Sequence, residues 1–293
     1  MIRLLRRGFI DALDRRFGRG LLGLLGTAYV AQNKGVRIRM FYDESWCHRI
    51  GAFGGGTDAL CAAPDFHRGL RSALRYARPE AGVDGTEELW FHQYRPKLGD
   101  VIIDIGAGNG LDEIGFSRAV GPAGKVFAVE AHPVTCKCLR KTCQRNHLRN
   151  VVCIQMAITD MPGTIYIDDG EEHIANKVSS TIDGTTRQIP VEACTLDELC
   201  AANGIEQIGF LKMNIEGAEQ LAIKGMTRCI ERVHALCICC HDFIAVRDGE
   251  SPWFRTKAVV EPFLREHGFE ILVRSDDTRP YVRDHFYGVR RAK

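Results

Sequence analysis

Asp100-Val-Ile-Ile-Asp-Ile-Gly-Ala-Gly-Asn-Gly110, followed twenty residues later by Glu130, is the stretch that decides the fold of this chain. The run Asp100-Val-Ile-Ile-Asp104 is apolar and β-branched, which reads as a buried parallel strand. The glycines after it allow a sharp turn and a close backbone approach to a ligand. A helix beginning near Leu111 presents its N-terminus there. Val126-Phe-Ala-Val-Glu130 is a second apolar strand, and its terminal carboxylate can accept two hydrogen bonds from a ribose diol. Together these segments form the front half of a nucleotide-binding βαβ unit.

The glycine spacing narrows the nucleotide. A dinucleotide loop needs G-x-G-x-x-G. Gly106, Gly108 and Gly110 give G-x-G-x-G, and Leu111 stands where the third dinucleotide glycine belongs. That spacing suits S-adenosylmethionine (SAM), which has no pyrophosphate to cradle, and disfavours NAD.

Working outward, strands and helices alternate from residue 100 onward. Strand 101–105 leads to helix 111–120, and strand 125–130 to a helix opened by Pro133, a favoured first-turn residue. A third strand covers 151–155. Segments 163–167 and 188–192 read as an inserted antiparallel pair around a polar loop. Thr195-Leu-Asp-Glu198 is a capping box. Strands 208–213 and 235–239, helix 257–267 closed by Gly268, and strands 269–273 and 285–289 complete the series. Such alternation implies a Rossmann-like α/β fold, a mostly parallel seven-stranded sheet with helices on both faces. Ligands then bind at the carboxyl ends of the strands.

Residues 1–85 read as an N-terminal extension and 86–293 as the catalytic domain. Residues 1–31 are expected to be helical, with Ile2, Leu5, Phe9, Leu13 and Phe17 on one face. Val36 to Tyr42 alternates like a strand, Gly51 to Gly56 is a glycine-rich loop, and His67 to Arg78 is a short helix. Ala81 to Gly85 reads as a linker, and Thr86 to Tyr94 as a helix ending before Pro96. Residues 1–20 hold six arginines and two aspartates. Arg15-Arg16-Phe17 resembles a twin-arginine export signal, but Tyr29 spoils a cleavage site after Ala31. The helix is therefore read as retained, packed on the protein or on a second copy, or lying on an anionic membrane surface.

The net charge of +2 gives no global field for nucleic acid, and no nucleic-acid partner is expected. Twelve cysteines show no zinc pattern. Cys237 and Cys240, although in C-x-x-C spacing, point to opposite faces of a strand. Unpatterned cysteines read as free thiols of a reducing, cytoplasmic setting, peripheral at the inner membrane face if the helix meets lipid.

Four segments resemble one family. Asp100 to Gly110 is similar to its "GDvviDiGAniG", Gly124 to Pro133 to "GkVyafEPhP", Thr195 to Leu199 to "tLDel", and Phe210 to Glu219 to "flKiDvEGaE". The chain resembles the FkbM family of class I SAM-dependent methyltransferases over about residues 86–245. The resemblance implies transfer of methyl from SAM to a hydroxyl of a sugar, lipid, polyketide or other secondary metabolite, hence a role in natural-product biosynthesis. It implies cofactor contacts from Asp104, Gly106, Gly108, Asn109, Glu130, Ala131, Ala157, Ile158, Asn214 and Glu216. Asp104 would orient the loop or meet the amino group, and Ala157 to Asp160 would hold the adenine. Glu219 reads as a charge in the first turn of a helix.

Two departures bear on catalysis. Asn214 stands where the family usually has Asp, and Cys239 where it often has Glu, two residues before a His matched by His241. Both remove carboxylates, so no metal is expected. His241, with an ordinary pKa of about 6.5, becomes the expected proton acceptor beside Asn214. The alternatives are N- or carboxyl-methylation of a small metabolite, or a SAM-binding module without catalysis.

Overall fold

The protein is described from a computed structural model. It covers residues 7–14, 18–34, 38–50, 59–76, 83–168, 178–179, 188–247 and 252–290. The positions of Ile2, Leu5, Phe17 and the 51–56 loop lie outside the described residues. So does most of the polar loop between the inserted strands.

The chain forms two compact units. One comprises Met1–Glu88, Gly108–Gly115 and Val134–Arg149; the other comprises Leu89–Ala107, Phe116–Pro133 and Asn150–Lys293. The spatial division is therefore not a single cut at residue 85.

In the first unit, helices α1 (Arg7–Asp14) and α2 (Arg19–Lys34) precede an antiparallel sheet, β1 (Met40–Asp43), β2 (Ser45–Ile50) and β3 (Ala59–Ala63), and helix α3 (Phe66–Tyr76). The expected continuous helix over 1–31 is thus two helices, and the strand expected from Val36 starts at Met40. α2 lies close on β1: a Cβ on Gly23 would sit 3.0 Å from the Met40 carbonyl oxygen. Trp46, Phe66 and Leu22 fill the core between them. Helix α4 (Val83–Trp90) occupies residues expected to be linker and stops before Phe91, because the bends at 91–93 break it well ahead of Pro96.

In the second unit, seven strands line up as β13-β14-β12-β11-β4-β5-β6. The strands are β4 (Val101–Ile105), β5 (Lys125–Val129), β6 (Val151–Ile154), β11 (Ile208–Met213), β12 (Val233–Cys239), β13 (Phe269–Leu272) and β14 (His285–Arg290). β4, β5, β6, β11 and β12 pair in parallel, and β14 enters antiparallel between β12 and β13. Helices α5 (Asp112–Val120) and α6 (Pro133–Arg145) follow β4 and β5 in the chain, the start of α5 and nearly all of α6 belonging to the first unit. A smaller sheet is formed by β7 (Ala157–Ile158), β8 (Gly163–Asp168), β9 (Val178–Ser179) and β10 (Gln188–Cys194), with β8 and β10 antiparallel as expected. Helices α7 (Leu196–Ala202), α8 (Glu219–Ala222), α9 (Asp242–Arg247), α10 (Lys257–Glu266) and α11 (Pro280–Arg283) complete the unit.

Alternation sends successive strand residues to opposite faces of the large sheet. Ile103, Ile105, Leu211, Met213, Leu236 and Ile238 meet Leu196 and Leu199 of α7 and Val260 and Leu264 of α10. Ile102, Phe210, Ala235, Cys237 and Tyr287 meet Trp90, Phe91 and Phe116 on the other face. With both faces covered, the strands must be apolar throughout, which is why they read so plainly in the sequence.

Candidate functional site

The second face carries polar side chains toward the carboxyl ends of the strands. Asp104 ends β4 fully buried, and Lys212 of β11 lies opposite it in register. Lys212 Nζ sits 2.7 Å from Asp104 Oδ1, donates a 2.7 Å hydrogen bond to the Gly106 carbonyl, and lies 5.1 Å from the centre of the Trp90 ring. The pair is fully desolvated, so each charge depends on the other. Asp104 is thus ion-paired inside the sheet and can fix the loop through Lys212 and Gly106, while its Oδ2 is buried without a hydrogen-bond partner.

Gly106 has φ +82°, and a Cβ there would lie 2.1 Å from the Asn214 carbonyl oxygen. Its glycine is required by the approach of β4 to the end of β11, where Asn214 N donates to Ile105 O at 2.9 Å. Gly108, at φ +59°, has open space where its Cβ would be. Asn109, in the first unit, donates through Nδ2 to Cys61 Sγ and to Ala62 O, both at 3.1 Å. Its side chain holds its own loop rather than standing ready for a ligand.

Glu130 follows β5 half-buried, and its Oε1 accepts from His132 N at 2.8 Å. Ala131 beside it is also half-buried. Ala157 and Ile158 pair with Ala193 and Cys194, and their side chains are buried in apolar clusters. Only their main-chain atoms are left to meet an adenine.

The segment after β11 is the most strained of the site. Glu216 has φ +56°, which costs a non-glycine residue energy, and Gly217 follows at φ +96°. Three side chains hold this turn. Glu219 accepts from Ile215 N at 2.9 Å and Gly217 N at 3.0 Å. Trp253 Nε1 donates to Glu216 O at 3.0 Å, and Gln220 Nε2 donates to Gly217 O at 3.0 Å and Trp253 O at 2.9 Å.

His241, 1% exposed, lies between the two glutamates of this turn. Its Nε2 is 3.4 Å from Glu216 Oε2, and its Nδ1 is 3.0 Å from Glu219 Oε1, though not in line for a hydrogen bond. Burial alone would lower the imidazole pKa, but Glu219 and Glu216 outweigh it and raise it to about 10. The two carboxylates favour the protonated ring, which weighs against a neutral general base; the carboxylates absent at positions 214 and 239 have counterparts in Glu216 and Glu219. Asn214 leaves its Oδ1 buried without a partner, as Glu216 does its Oε2.

His285 was not singled out in the sequence. It opens β14 in register with Cys239 and is 1% exposed. Its Nδ1 is 2.7 Å from Tyr281 O, a carbonyl that can only accept, so Nδ1 carries the proton. Nε2 is then a buried lone pair without a partner. Burial, with the cations His241, Lys212 and Arg274 nearby, lowers the pKa of His285 to about 4. Two histidines at the same edge of the sheet therefore hold opposite charge states. Nothing in the local sequence signals this, since the deciding charges arrive from other strands.

The segment that resembles the family's "tLDel" has a structural reading as well. Thr195 caps α7 with Glu198 in a reciprocal box. Asp197 accepts from Arg228 N and Cys229 N and from Thr227 Oγ1, tying α7 to the next turn. Among the described residues no group of His, Cys, Asp and Glu side chains is arranged to hold a metal ion.

Comparison with known proteins follows the same direction. The model of the methyltransferase FkbM domain matches residues 104–271. The "probable cobalt-precorrin-6B C(15)-methyltransferase (decarboxylating)" of Saccharolobus solfataricus is 28% identical over 149 residues, covering 47% of this chain and 74% of the relative. Among solved structures, the methyltransferase FkbM of Methylobacillus flagellatus aligns over 75% of this chain with TM-score 0.48 and 17% identity. The aligned part is 52% of that protein, so the present chain spans about half its length. The Aeropyrum pernix fibrillarin carrying natively bound SAM aligns over 87% of this chain and 100% of its own, with TM-score 0.43 and 13% identity. These likenesses are too distant to carry more than a general kinship. The match over more than half the length, on a sheet of the order described above, is decisive: the chain belongs to the FkbM methyltransferase family and is a SAM-dependent methyltransferase with a Rossmann-like α/β fold.

Proposed function

We propose that the protein methylates a hydroxyl oxygen of a small-molecule acceptor such as a sugar, lipid or secondary metabolite, and that Glu216 accepts the hydroxyl proton. The single observation that carries this reading is the geometry of the Glu216–His241–Glu219 trio. Glu219 is fully buried and fixed by two backbone N–H groups, 3.0 Å from His241 Nδ1. Glu216 is the member that reaches solvent: its side chain is 21% exposed, and its Oε2 lies 3.4 Å from His241 Nε2.

The residues fit SAM. Asn214 Oδ1 and Glu216 Oε2 are buried acceptors without donors, which suits a cationic ligand bearing an ammonium group. Glu130 at the end of β5 suits a ribose diol. When bound, SAM supplies a methyl group on a positively charged sulfur, open to in-line displacement. An alcohol is a weak nucleophile at neutral pH, so a carboxylate placed to receive its proton favours the transfer. Glu216 takes that proton as the oxygen gains its methyl group, and His241 steadies the carboxylate. A carboxylate acceptor would meet the negative charge of Glu216, which counts against carboxyl methylation.

The test is native mass spectrometry of purified protein with SAM and a panel of glycans, lipids, amines and carboxylic acids. A gain of one methyl on hydroxylated acceptors, lost in Glu216→Gln, is the expected result. Methylation confined to amines, carboxylates or carbon would overturn the oxygen assignment.

A further inference from the structure

We propose that the solvent-facing side of α2 docks on an anionic lipid bilayer. The proposal concerns the first unit alone and does not depend on the acceptor reading above.

One face of α2 is anchored: Leu22, Gly23, Gly26 and Val30 are buried. The opposite face is apolar too, which an ordinary surface helix is not. Leu21 is 53% exposed and Leu24 72% exposed, and Ala28 is exposed on the same side. Positions 21, 24 and 28 follow helical spacing, so they form one stripe about 10 Å long. α2 contains no acidic residue.

Charge selects the occupant. Residues 1–34 hold seven basic and two acidic side chains, a net of +5, although the whole chain is only +2. The two acids are already used. Asp14 accepts from Trp46 Nε1 at 2.8 Å and from Arg19 Nε at 3.4 Å, and Asp11 is 3.1 Å from His67 Nε2. Both acids of this segment are therefore engaged, while its sequence carries five basic side chains in excess. Exposed leucines beside clustered arginines match a surface that offers both hydrocarbon and negative headgroups. A protein partner or second copy would use the leucines but has no stated need for the arginines. The helix would lie along the bilayer, since no helix among the described residues is long and apolar enough to cross one.

The test is flotation of the full chain with vesicles of phosphatidylcholine alone and of phosphatidylcholine mixed with phosphatidylserine. Binding is expected to the mixed vesicles, weakening as salt rises. The double variant Leu21→Asp/Leu24→Asp should bind at least about tenfold less, with unchanged thermal unfolding because both positions are exposed. Arg15→Glu/Arg16→Glu should weaken binding and flatten its salt dependence. Failure of the wild-type chain to float with the mixed vesicles would overturn the proposal, as would equal binding by the leucine variant. A wild-type dimer that the leucine variant dissociates, with no vesicle binding by either, would give this face to a second copy instead.

Discussion

Two buried charge clusters stand at the same edge of the large sheet and are built on different arithmetic. The Asp104–Lys212 pair is balanced one for one. It is 0% and 2% exposed, and its spare hydrogen bonding goes to the Gly106 carbonyl. The Glu216–His241–Glu219 trio holds two acids against one cation, and its surplus sits on the one member open to solvent. The first cluster ties Lys212 to the carbonyl of the Gly106 turn, and the second sits on a strained turn with one member open to solvent; on the reading proposed above, the second meets the acceptor.

The comparison breaks most directly at Glu216. Replacing it by Gln keeps the shape and removes the surplus charge. If Glu216 receives the acceptor proton, kcat should fall by about 10²–10⁴. Thermal stability should change little, because the side chain reaches solvent. Steady-state kinetics beside a melting curve give both numbers, and a variant with nearly normal kcat would return the trio to a purely structural role.

Lys212→Met should do the reverse. It leaves Asp104 buried without its counter-ion, a loss of about 3–5 kcal/mol of stability. Denaturant unfolding measures it. The paired substitution Asp104→Leu/Lys212→Met should recover much of that loss, because no lone charge remains. Recovery of stability without recovery of SAM affinity would show that the pair matters chiefly as the support of the Gly106 turn.

The contrast also separates what was legible in the sequence from what was not. β4, β5 and β11 were readable because burial on both faces leaves an uninterrupted apolar run. The capping box at Thr195 and the Gly268 stop were readable because they are local. Lys212 was hidden inside such a run, where one lysine looks like an outward-facing residue. Glu219 was explained away as a helix charge, although α8 has only four residues and the carboxylate turns back onto its own N-terminal loop. The surroundings of His241 are illegible in sequence, because they depend on acids 22 and 25 positions earlier that only the fold brings within 3.0 and 3.4 Å. β2 and β3 escaped notice because Ser45-Trp-Cys-His-Arg-Ile50 and Ala59-Leu-Cys-Ala-Ala63 lack a clean alternation.

A smaller effect belongs to the ribose contact. Glu130→Ala should weaken SAM binding by about 1.5–3 kcal/mol, the range for a hydrogen bond to a charged group. It should leave the melting temperature nearly unchanged, since Glu130 is half-buried and outside both clusters. Titration calorimetry with S-adenosylhomocysteine tests it, and an unchanged affinity would remove the residue from the site.

The finest test is pH, because the two histidines should act with opposite sign. The folded pKa of His241 is raised to about 10, above the ordinary value of 6.5. Its contribution to stability is therefore complete below pH 6.5 and lost as pH climbs toward 10. The folded pKa of His285 is lowered to about 4, so the unfolded chain binds its proton first. Its contribution is present above pH 6.5 and lost as pH falls toward 4. Melting temperature against pH should then decline on both sides of a plateau. Exposed thiols of the unfolded chain also titrate on the alkaline side, so the decisive quantity is the difference between wild type and His241→Gln. That variant should start less stable and lose less between pH 6.5 and 10, and its acid limb should become shallower, because one of the cations that lowers the His285 pKa is gone. His285→Phe should flatten the acid limb alone. Turnover adds a separate check: a ring already protonated gains no proton near pH 6.5, so the wild-type rate should show no protonation step from His241 between about pH 5.5 and 7.5, one unit either side of the ordinary value. A rate that falls through pH 6.5 in wild type but not in His241→Gln would mean that the ring is neutral in the working enzyme and that the trio is not the imidazolium cluster its geometry indicates.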